Sequence, residues 1–195
     1  MDTSRSSPLL YLHSFTSATG ETSIVWYRDR TGVRIRRIFL SSDDGSSSAA
    51  AGRSFPGIAS CANPEIRRLA GIIGMISRGL RQDFDLELLD LGICTDFQTK
   101  VLLETARILP GQVRSYRWLA ERASGPSCAR AAGRALAGNP FPLAIPCHRV
   151  VRSDGGIGGY QGGAAMKLSL LELEGVRFDP VSGCVSSVMF TPAEN

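Results

Sequence analysis

The apolar positions in the first half of the chain form short runs and then recur at helical spacing. Three runs rich in apolar and aromatic side chains are typical of short strands, and they cover residues 9–16, 23–26 and 33–40. The Ser/Ala/Gly/Asp composition of residues 41–53 indicates a mobile loop. Asn63-Pro64-Glu65 is a typical helix start, and apolar residues share one face of the predicted helix to about Ser77. Residues 86–89 indicate a further strand, so the pattern predicts a small α/β unit.

Helical spacing dominates the second half of the chain. Thr95 is a typical cap for a helix through Ile108, which Pro110-Gly111 would end. A further helix is predicted from Lys167 to Glu174, with Gly175 as its stop.

Two short helices are predicted between these elements. Ser115 begins a helix over residues 116–122, and a second helix over residues 127–137 is rich in alanine and glycine. The turn between them, residues 124–127, contains a glycine. This pattern has the form of a helix-turn-helix, although many other helix pairs share it.

Composition narrows the class of protein. The chain has 195 residues, of which 43% are hydrophobic and 21% charged, which suits one large domain or two small ones. No apolar run is long enough to predict a membrane span, and the first residues do not resemble a secretory signal. The five cysteines form no Cys-x-x-Cys pair and favour free thiols in a reducing compartment, the cytoplasm or a nucleus. Only two histidines are present, so we expect no structural zinc site.

Charge is unevenly distributed. Between Arg107 and Arg152 the chain carries eight arginines and a single acid, Glu121. Arginine forms forked hydrogen bonds to phosphate, so the cluster suits a nucleic-acid backbone. A solvated surface explains the same charges equally well.

The segment Pro146-Cys147-His148-Arg149-Val150 is a candidate nucleophilic site. A cysteine attacks as its thiolate, and a neighbouring base or positive charge favours that form. A buried structural cysteine is the alternative, and Cys147 by itself favours it because an apolar run precedes it. The glycine-rich residues 153–163 allow a tight loop with exposed backbone donors. They lack the lysine of a phosphate-binding loop, so a flat aromatic ligand fits them better.

The order of these motifs closely resembles the O6-alkylguanine-DNA alkyltransferases, also called methylated-DNA–protein-cysteine methyltransferases. The resemblance covers about residues 93–177, and it rests on Tyr116, Arg130, Gly138-Asn139-Pro140, residues 146–150, residues 158–163, Lys167 and Glu174-Gly175. It implies an α+β fold with a small N-terminal α/β, ribonuclease-like domain over residues 1–92. A mainly helical DNA-binding and alkyl-transfer domain with a helix-turn-helix would occupy residues 93–180, and residues 181–195 would form a tail.

The resemblance implies a catalytic role for six residues, of which Tyr116 would also contact DNA and is described with the DNA contacts. Cys147 would be the nucleophile and the final alkyl acceptor. His148 would act as a base through a water molecule, and Glu174 would orient and stabilise its imidazole. Asn139 would hold the site by hydrogen bonds. Lys167 would polarise a tyrosine or the pocket loop, with a plain surface lysine as the alternative.

The resemblance also implies how DNA would be held. Arg130 would enter the duplex in place of the target nucleotide; a phosphate contact or a solvated side chain is the alternative. Tyr116 would crowd the 3′ phosphate, promote rotation of the nucleotide and donate a proton to the leaving guanine, unless it only packs at the helix start. Further DNA contacts are expected from Ser115, Arg117, Ala129 and Arg134.

The base pocket would be lined by Tyr160 and the glycines around it. The backbone amide of Gln161 would donate to O6, a position where family members often carry serine. Backbone carbonyls of Cys147 and Val150 would accept from the guanine amino group. An apolar wall over the alkyl group is expected from Leu136, Pro142 and Gly158.

These roles imply one reaction and one partner. The alkyl group would pass once to Cys147, with no metal or organic cofactor, from O6-alkylguanine in double-stranded DNA; O4-alkylthymine stays open as a second substrate. We expect a monomer with no membrane contact. Three alternatives remain at this stage: a module that binds lesions without removing them, a helix-turn-helix regulator, and a Cys–His hydrolase of small molecules.

Overall fold

A four-stranded sheet occupies the N-terminal half of the computed structural model, which describes residues 8–81, 83–123, 125 and 128–186. The strands are β1 (Tyr11–Ser17), β2 (Gly20–Asp29), β3 (Gly32–Leu40) and β4 (Ala59–Ser60). β1 to β3 form an antiparallel meander, β4 pairs with β1 in parallel, and the spatial order is β3-β2-β1-β4. β1, β2 and β3 overlap the three strands predicted at residues 9–16, 23–26 and 33–40 and so confirm them.

One helix covers each face of this sheet. Ile24 and Ile35 belong to the same buried cluster as Ile66, Leu69 and Ile73 of α2 (Pro64–Ile76). The side chain of Asn63 accepts from the Ile66 amide at 2.8 Å, as its position before Pro64 predicts. Side chains of the opposite pleat, such as Val25 and Phe39, pack against α1 (Ser47–Ser54). Because successive side chains of β2 point to opposite faces of the sheet, they contribute to two separate hydrophobic clusters.

Two predictions for this half are wrong. Residues 41–53 were expected to form a mobile loop, but α1 begins within them because Ser46 caps the Ala49 amide and Glu21 of β2 accepts from the Ser48 amide. A carboxylate at a helix N-terminus stabilises it through the helix dipole. The strand expected at residues 86–89 is a 3-10 helix (Leu86–Leu88), capped by Asp85, and only Leu89 bridges to β3.

The C-terminal half is mainly helical. Its elements are α3 (Asp96–Ala106), β5 (Arg114–Ser115), α4 (Tyr116–Ala123), α5 (Ala129–Ala137), β6 (Val150–Val151) and α6 (Gly163–Leu173). Thr95 caps α3, which ends two residues before the predicted Ile108. α6 begins four residues earlier than predicted. Of the predicted turn at residues 124–127, only Gly125 lies within the described residues.

The two halves share one apolar core, and this contact helps to position the site. Ile24 of β2 belongs to the same buried cluster as Leu102 of α3 and Ile145. At the sheet edge, the Ile38 amide of β3 donates to the Pro140 carbonyl at 2.8 Å. The sheet therefore supports the segment that leads into Cys147. The architecture is a mixed α+β fold, as predicted.

Candidate active site

Cys147 lies in a 3-10 turn, Cys147–Arg149, inside a segment whose ten residues, 141–150, are all buried. The chain continues directly into β6, which pairs in parallel with β5. Since α4 starts immediately after β5, this pairing brings Tyr116 beside the cysteine segment. Residues that are 31 positions apart in the sequence, Tyr116 and Cys147, therefore line one cavity.

A tight turn between α5 and the cysteine is held by Asn139. Its Oδ1 accepts from the Phe141 amide at 2.9 Å, and its Nδ2 donates to the Ile145 carbonyl at 3.2 Å. Within this turn Leu143 has a φ of +70°, a left-handed conformation that is uncommon for leucine. The two hydrogen bonds and the burial of the turn stabilise this conformation and so fix the approach to Cys147.

A buried ionic network lies behind the cysteine. Glu174, at the end of α6, has its Oε1 3.0 Å from His148 Nε2 and 2.6 Å from Arg149 Nη2. Arg149 also donates through Nε to Glu174 Oε2 at 2.9 Å and through Nη1 to the Ile108 carbonyl at 2.6 Å. His148 Nδ1 is buried and has no hydrogen-bond partner among the described residues. Glu174 thus fixes the orientation of the imidazole ring through Nε2, and Nδ1 stays free of this ionic network.

Lys167 of α6 is fully buried, which contradicts the surface-lysine alternative. Its Nζ donates to the Val150 carbonyl at 2.7 Å and lies 3.4 Å from the Gly159 carbonyl. It therefore joins the strand after the cysteine to the glycine-rich loop, and its hydrogen bonds go to backbone oxygens.

Burial and nearby positive charge shift the pKa of the Cys147 thiol in opposite directions. Burial raises the pKa of the Cys147 thiol; a hydrogen bond from Asn139 and the charge of Lys167 lower it in part. Burial lowers the pKa of Lys167 to about 8, and the negative charge of a Cys147 thiolate raises it. The thiolate and the ammonium ion therefore stabilise each other.

Burial also shifts the pKa values of His148 and Glu174. Burial lowers the pKa of His148, although the hydrogen bond and charge of Glu174 raise it, so the imidazole is neutral at pH 7. For Glu174, burial raises the carboxyl pKa, but hydrogen bonds from His148 and Arg149 outweigh it and bring the pKa to about 2. A neutral imidazole that donates from Nε2 to a carboxylate has an unprotonated Nδ1, the form that acts as a base.

Replacing Lys167 with methionine should raise the pH at which Cys147 becomes reactive. The substitution removes the positive charge that lowers the thiol pKa. The measurement is the rate of Cys147 alkylation by iodoacetamide against pH, read from the mass of the Cys147 peptide. Lys100→Met is the matched control because Lys100 is exposed on α3. An unchanged or lowered midpoint for Lys167→Met would contradict the pairing.

A cavity of about 390 Å³ opens beside the cysteine. It is lined by Tyr116, Gly133, Leu136, Ala137, Asn139, Pro142, Cys147, Gly159, Tyr160 and Gln161. Leu136, Pro142, Tyr160 and Gln161 were predicted to line a base pocket and do lie here. Gly158 and Val150 are not part of the lining: Gly158 packs against Tyr116, and the Val150 carbonyl accepts from Lys167.

A wider, open groove of about 660 Å³ adjoins this cavity and shares Tyr116, Gly133 and Ala137 with it. The rest of its lining is Arg117, Ala129, Arg130, Arg134, Arg152, Ser153 and Asp154. The predicted residues Arg117, Ala129, Arg130 and Arg134 thus come together on one surface. Ser115 is not part of that lining, and its hydroxyl instead accepts from the Trp118 amide at the start of α4.

Three features of the site escaped the sequence prediction. Arg149 was noted only as a charge beside the cysteine, whereas its side chain is buried on Glu174. Gly133 and Ala137, four residues apart on α5, line both the cavity and the groove; the small residues of this helix were the available signal. Arg152 belonged to the predicted arginine cluster, but nothing in the local sequence indicated that Asp154 would join it in the groove.

Part of this chain, including the cavity residues, is similar to known proteins. Residues 96–176 match the family model described as 6-O-methylguanine DNA methyltransferase, DNA binding domain. The methylated-DNA–protein-cysteine methyltransferase of Methanothermobacter thermautotrophicus is 49% identical over 114 residues, and the human protein of that name is 49% identical over 82. The matched segment of this chain is therefore similar to the methylated-DNA–protein-cysteine methyltransferases.

Solved structures of methyltransferases extend the likeness to the N-terminal half. Mycobacterium tuberculosis OGT in complex with DNA aligns with a TM-score of 0.67 and 28% identity, over 84% of this chain and 92% of that one. The O6-methylguanine-DNA methyltransferase of Pyrococcus kodakaraensis aligns with a TM-score of 0.59 and 27% identity, over 86% and 99%. By sequence, the matches span 58% of this chain and 64% of the Methanothermobacter methyltransferase, and 42% and 40% for the human one.

The matched methyltransferase segment contains the cavity, the Glu174 network and Lys167. Among the described residues, no group of three or more His, Cys, Asp or Glu side chains is placed to hold a metal ion. The helices of the described part of the chain are also too short or too polar to cross a membrane.

Proposed function

We propose that this protein repairs alkylated DNA by moving the alkyl group of O6-alkylguanine onto Cys147 in a single turnover. The observation that carries the proposal is the position of Cys147 in a cavity that opens into an arginine-lined groove. The cavity has a volume suited to one base, and the groove has the charge suited to a phosphate backbone. The similarity of residues 96–176 to the 6-O-methylguanine DNA methyltransferases supports the same reaction.

The thiol would be activated by the residues that surround it. Asn139 and Lys167 favour the thiolate, and His148 Nδ1 would accept the thiol proton through a water molecule. Glu174 would then stabilise the imidazolium that forms, as an acid does in a nucleophile–base–acid triad. The buried Arg149 would keep Glu174 ionised and in place, which makes it a positioning residue.

The guanine must leave with its charge neutralised. Sulfur would attack the alkyl carbon, the carbon–oxygen bond would break, and its electron pair would stay on guanine O6. The Gln161 amide would donate to O6, and Tyr116 would supply a proton at N3. Burial raises the pKa of Tyr116, so its hydroxyl is protonated at neutral pH. None of the described residues that line the cavity would remove the alkyl group from the thioether on Cys147, so each molecule would act once.

DNA would bind to α4 and α5, which would act as a helix-turn-helix. The α5 helix would enter a groove of the DNA duplex. The O6 position cannot be reached inside the base stack, so the nucleotide must rotate into the cavity. Residues 93–180 would form the DNA-binding and alkyl-transfer domain, and residues 1–92 a ribonuclease-like supporting domain. Since one chain supplies the whole site, we propose that a monomer acts on each lesion.

One experiment tests this function. The protein is incubated with a duplex that contains one O6-methylguanine, and its tryptic peptides are then weighed. We expect the mass of one methyl group to be added to the Cys147 peptide. The amount of methylated peptide should never exceed the amount of protein. Tight binding with an unchanged peptide mass would instead indicate a lesion-binding module, and repeated turnover would indicate a hydrolase.

Replacing Arg130 with alanine should slow transfer from duplex DNA by about tenfold or more, but hardly slow transfer from free O6-benzylguanine. The free base needs no rotation out of a stack, a step that costs a few kcal/mol in the duplex. The measurement is the transfer rate on both substrates. Arg53→Ala is the control because Arg53 is also an exposed helical arginine, on α1. Equal slowing on both substrates would contradict the role in rotation.

A further inference from the structure

A closed turn, residues 152–156, contributes a second set of charges to the groove. The Arg152 amide donates to the Gly156 carbonyl at 2.8 Å, and the Gly155 amide donates to the Arg152 carbonyl at 3.0 Å. Asp154 Oδ1 also accepts from the Gly156 amide at 3.0 Å. These bonds hold the side chains of Arg152 and Asp154 on the same short turn, and both line the groove.

The C-terminal segment holds this turn from behind. The Val185 amide donates to the Gly155 carbonyl at 3.0 Å, and Val185 is buried against Val113 and Val151. Gly155 has a φ of +83°, and a Cβ there would lie 3.1 Å from the Cβ of Cys184. Only glycine fits this close contact comfortably. The segment beyond the family match therefore gives the turn a fixed position.

The Arg152 side chain lies along two further glycines and close to Tyr116. A Cβ at Gly156 would lie 3.4 Å from Arg152 Cδ, and a Cβ at Gly158 would lie 3.7 Å from Arg152 Cγ. The same position at Gly158 is 3.3 Å from the Tyr116 hydroxyl. The stem of Arg152 thus lies along the glycine loop beside Tyr116, the residue that the cavity and the groove share.

Arg152 forms an exposed ion pair with Asp154. Its Nη2 lies 2.6 Å from Asp154 Oδ2, but the two side chains are 63% and 58% exposed. An exposed ion pair contributes little to stability, so a second anion can displace its carboxylate. A phosphate is such an anion, because it accepts forked, charge-assisted bonds from arginine.

We propose that Arg152 binds a DNA phosphate at the mouth of the cavity and that Asp154 competes with this phosphate for it. Arg152 would thereby add a phosphate contact that comes from the pocket loop rather than from α4 or α5. Asp154 would weaken binding to all DNA, which limits retention on undamaged sequence. The proposal rests on the proposed function only in taking duplex DNA as the occupant of the groove.

The test measures the affinity for an unmodified duplex against salt concentration. Arg152→Gln keeps most of the stem and removes the charge; we expect about fivefold weaker binding and a salt slope smaller by about one. Arg152→Lys should restore the slope. Asp154→Asn keeps an oxygen for the Gly156 amide, and we expect about threefold tighter binding. In the Arg152→Gln background that gain should shrink, because the competition is gone.

Arg28→Gln and Glu65→Gln are the matched controls, since this exposed ion pair lies in the N-terminal half, outside the groove lining. An unchanged slope for Arg152→Gln overturns the phosphate contact. An equal gain from Asp154→Asn with and without the arginine overturns the competition. Transfer from O6-methylguanine duplex to Cys147 in the wild type is measured in parallel. If transfer fails while the slope changes as expected, the proposed function fails and the contact stands.

Discussion

Replacing Cys147 with alanine should abolish alkyl transfer and leave the affinity for DNA nearly unchanged. The sulfur is the acceptor in the proposed reaction, and no other described cysteine lines the cavity. Binding depends on the groove, whose arginines the substitution does not touch. We expect a change of only about 1 kcal/mol in the free energy of unfolding, because alanine is little smaller than cysteine. Peptide mass and duplex binding provide the measurements.

Cys61→Ala is the control for this prediction. Cys61 is an exposed free thiol, and its loss should leave both transfer and binding as they are. Methylation that persists at another cysteine of the Cys147→Ala variant would show that the acceptor has been misassigned. Loss of binding together with transfer would place Cys147 in the support of the fold rather than in the chemistry.

Replacing Glu174 with glutamine should destabilise the protein and slow transfer together. The neutral amide leaves the buried Arg149 without a counter-charge, a type of change that costs about 3 kcal/mol or more. It also removes the carboxylate that would stabilise a protonated His148. Chemical denaturation measures the first effect, and the transfer rate measured well below the denaturation midpoint measures the second.

The pH dependence of the Glu174 effect has a definite sign. The carboxyl pKa is about 2 in the folded protein, below the ordinary glutamate value of 4.5 that we take for the unfolded chain. The ionised carboxylate therefore stabilises the fold fully above about pH 4.5, and this contribution falls as pH drops from there toward 2. We expect the difference in unfolding free energy between wild type and Glu174→Gln to be constant at neutral pH and to narrow in that acid range.

Glu172→Gln provides the matched control on the same helix, since Glu172 is exposed near the end of α6. It should change the unfolding free energy by less than about 0.5 kcal/mol. A similarly small change for Glu174→Gln would mean that Arg149 finds its stabilisation elsewhere, in the Ile108 carbonyl for example. Unchanged transfer would exclude Glu174 from the proposed triad.

The fold was predictable where local interactions decide the structure. Asn63 caps α2 and Thr95 caps α3 as predicted, because a cap bonds to amides only two or three residues away. The prediction failed at α1, whose N-terminus depends on Glu21 of a neighbouring strand. It failed again at Leu86–Leu88, where apolar spacing suits a strand and a 3-10 turn equally. A contact distant in sequence helps to decide α1, whereas Leu86–Leu88 is capped locally by Asp85.

By itself, the sequence determined the chemistry that this chain can perform: a cysteine followed by a histidine, a glycine-rich loop and a cluster of arginines before them. These are properties of residue type and spacing, and they were enough to suggest the family. Only the tertiary structure decided which charges meet. It buries Arg149 on Glu174, turns Lys167 inward and places Arg152 beside Tyr116. Such pairings depend on how helices and turns far apart in the chain pack together, and spacing along the chain carries no record of that packing.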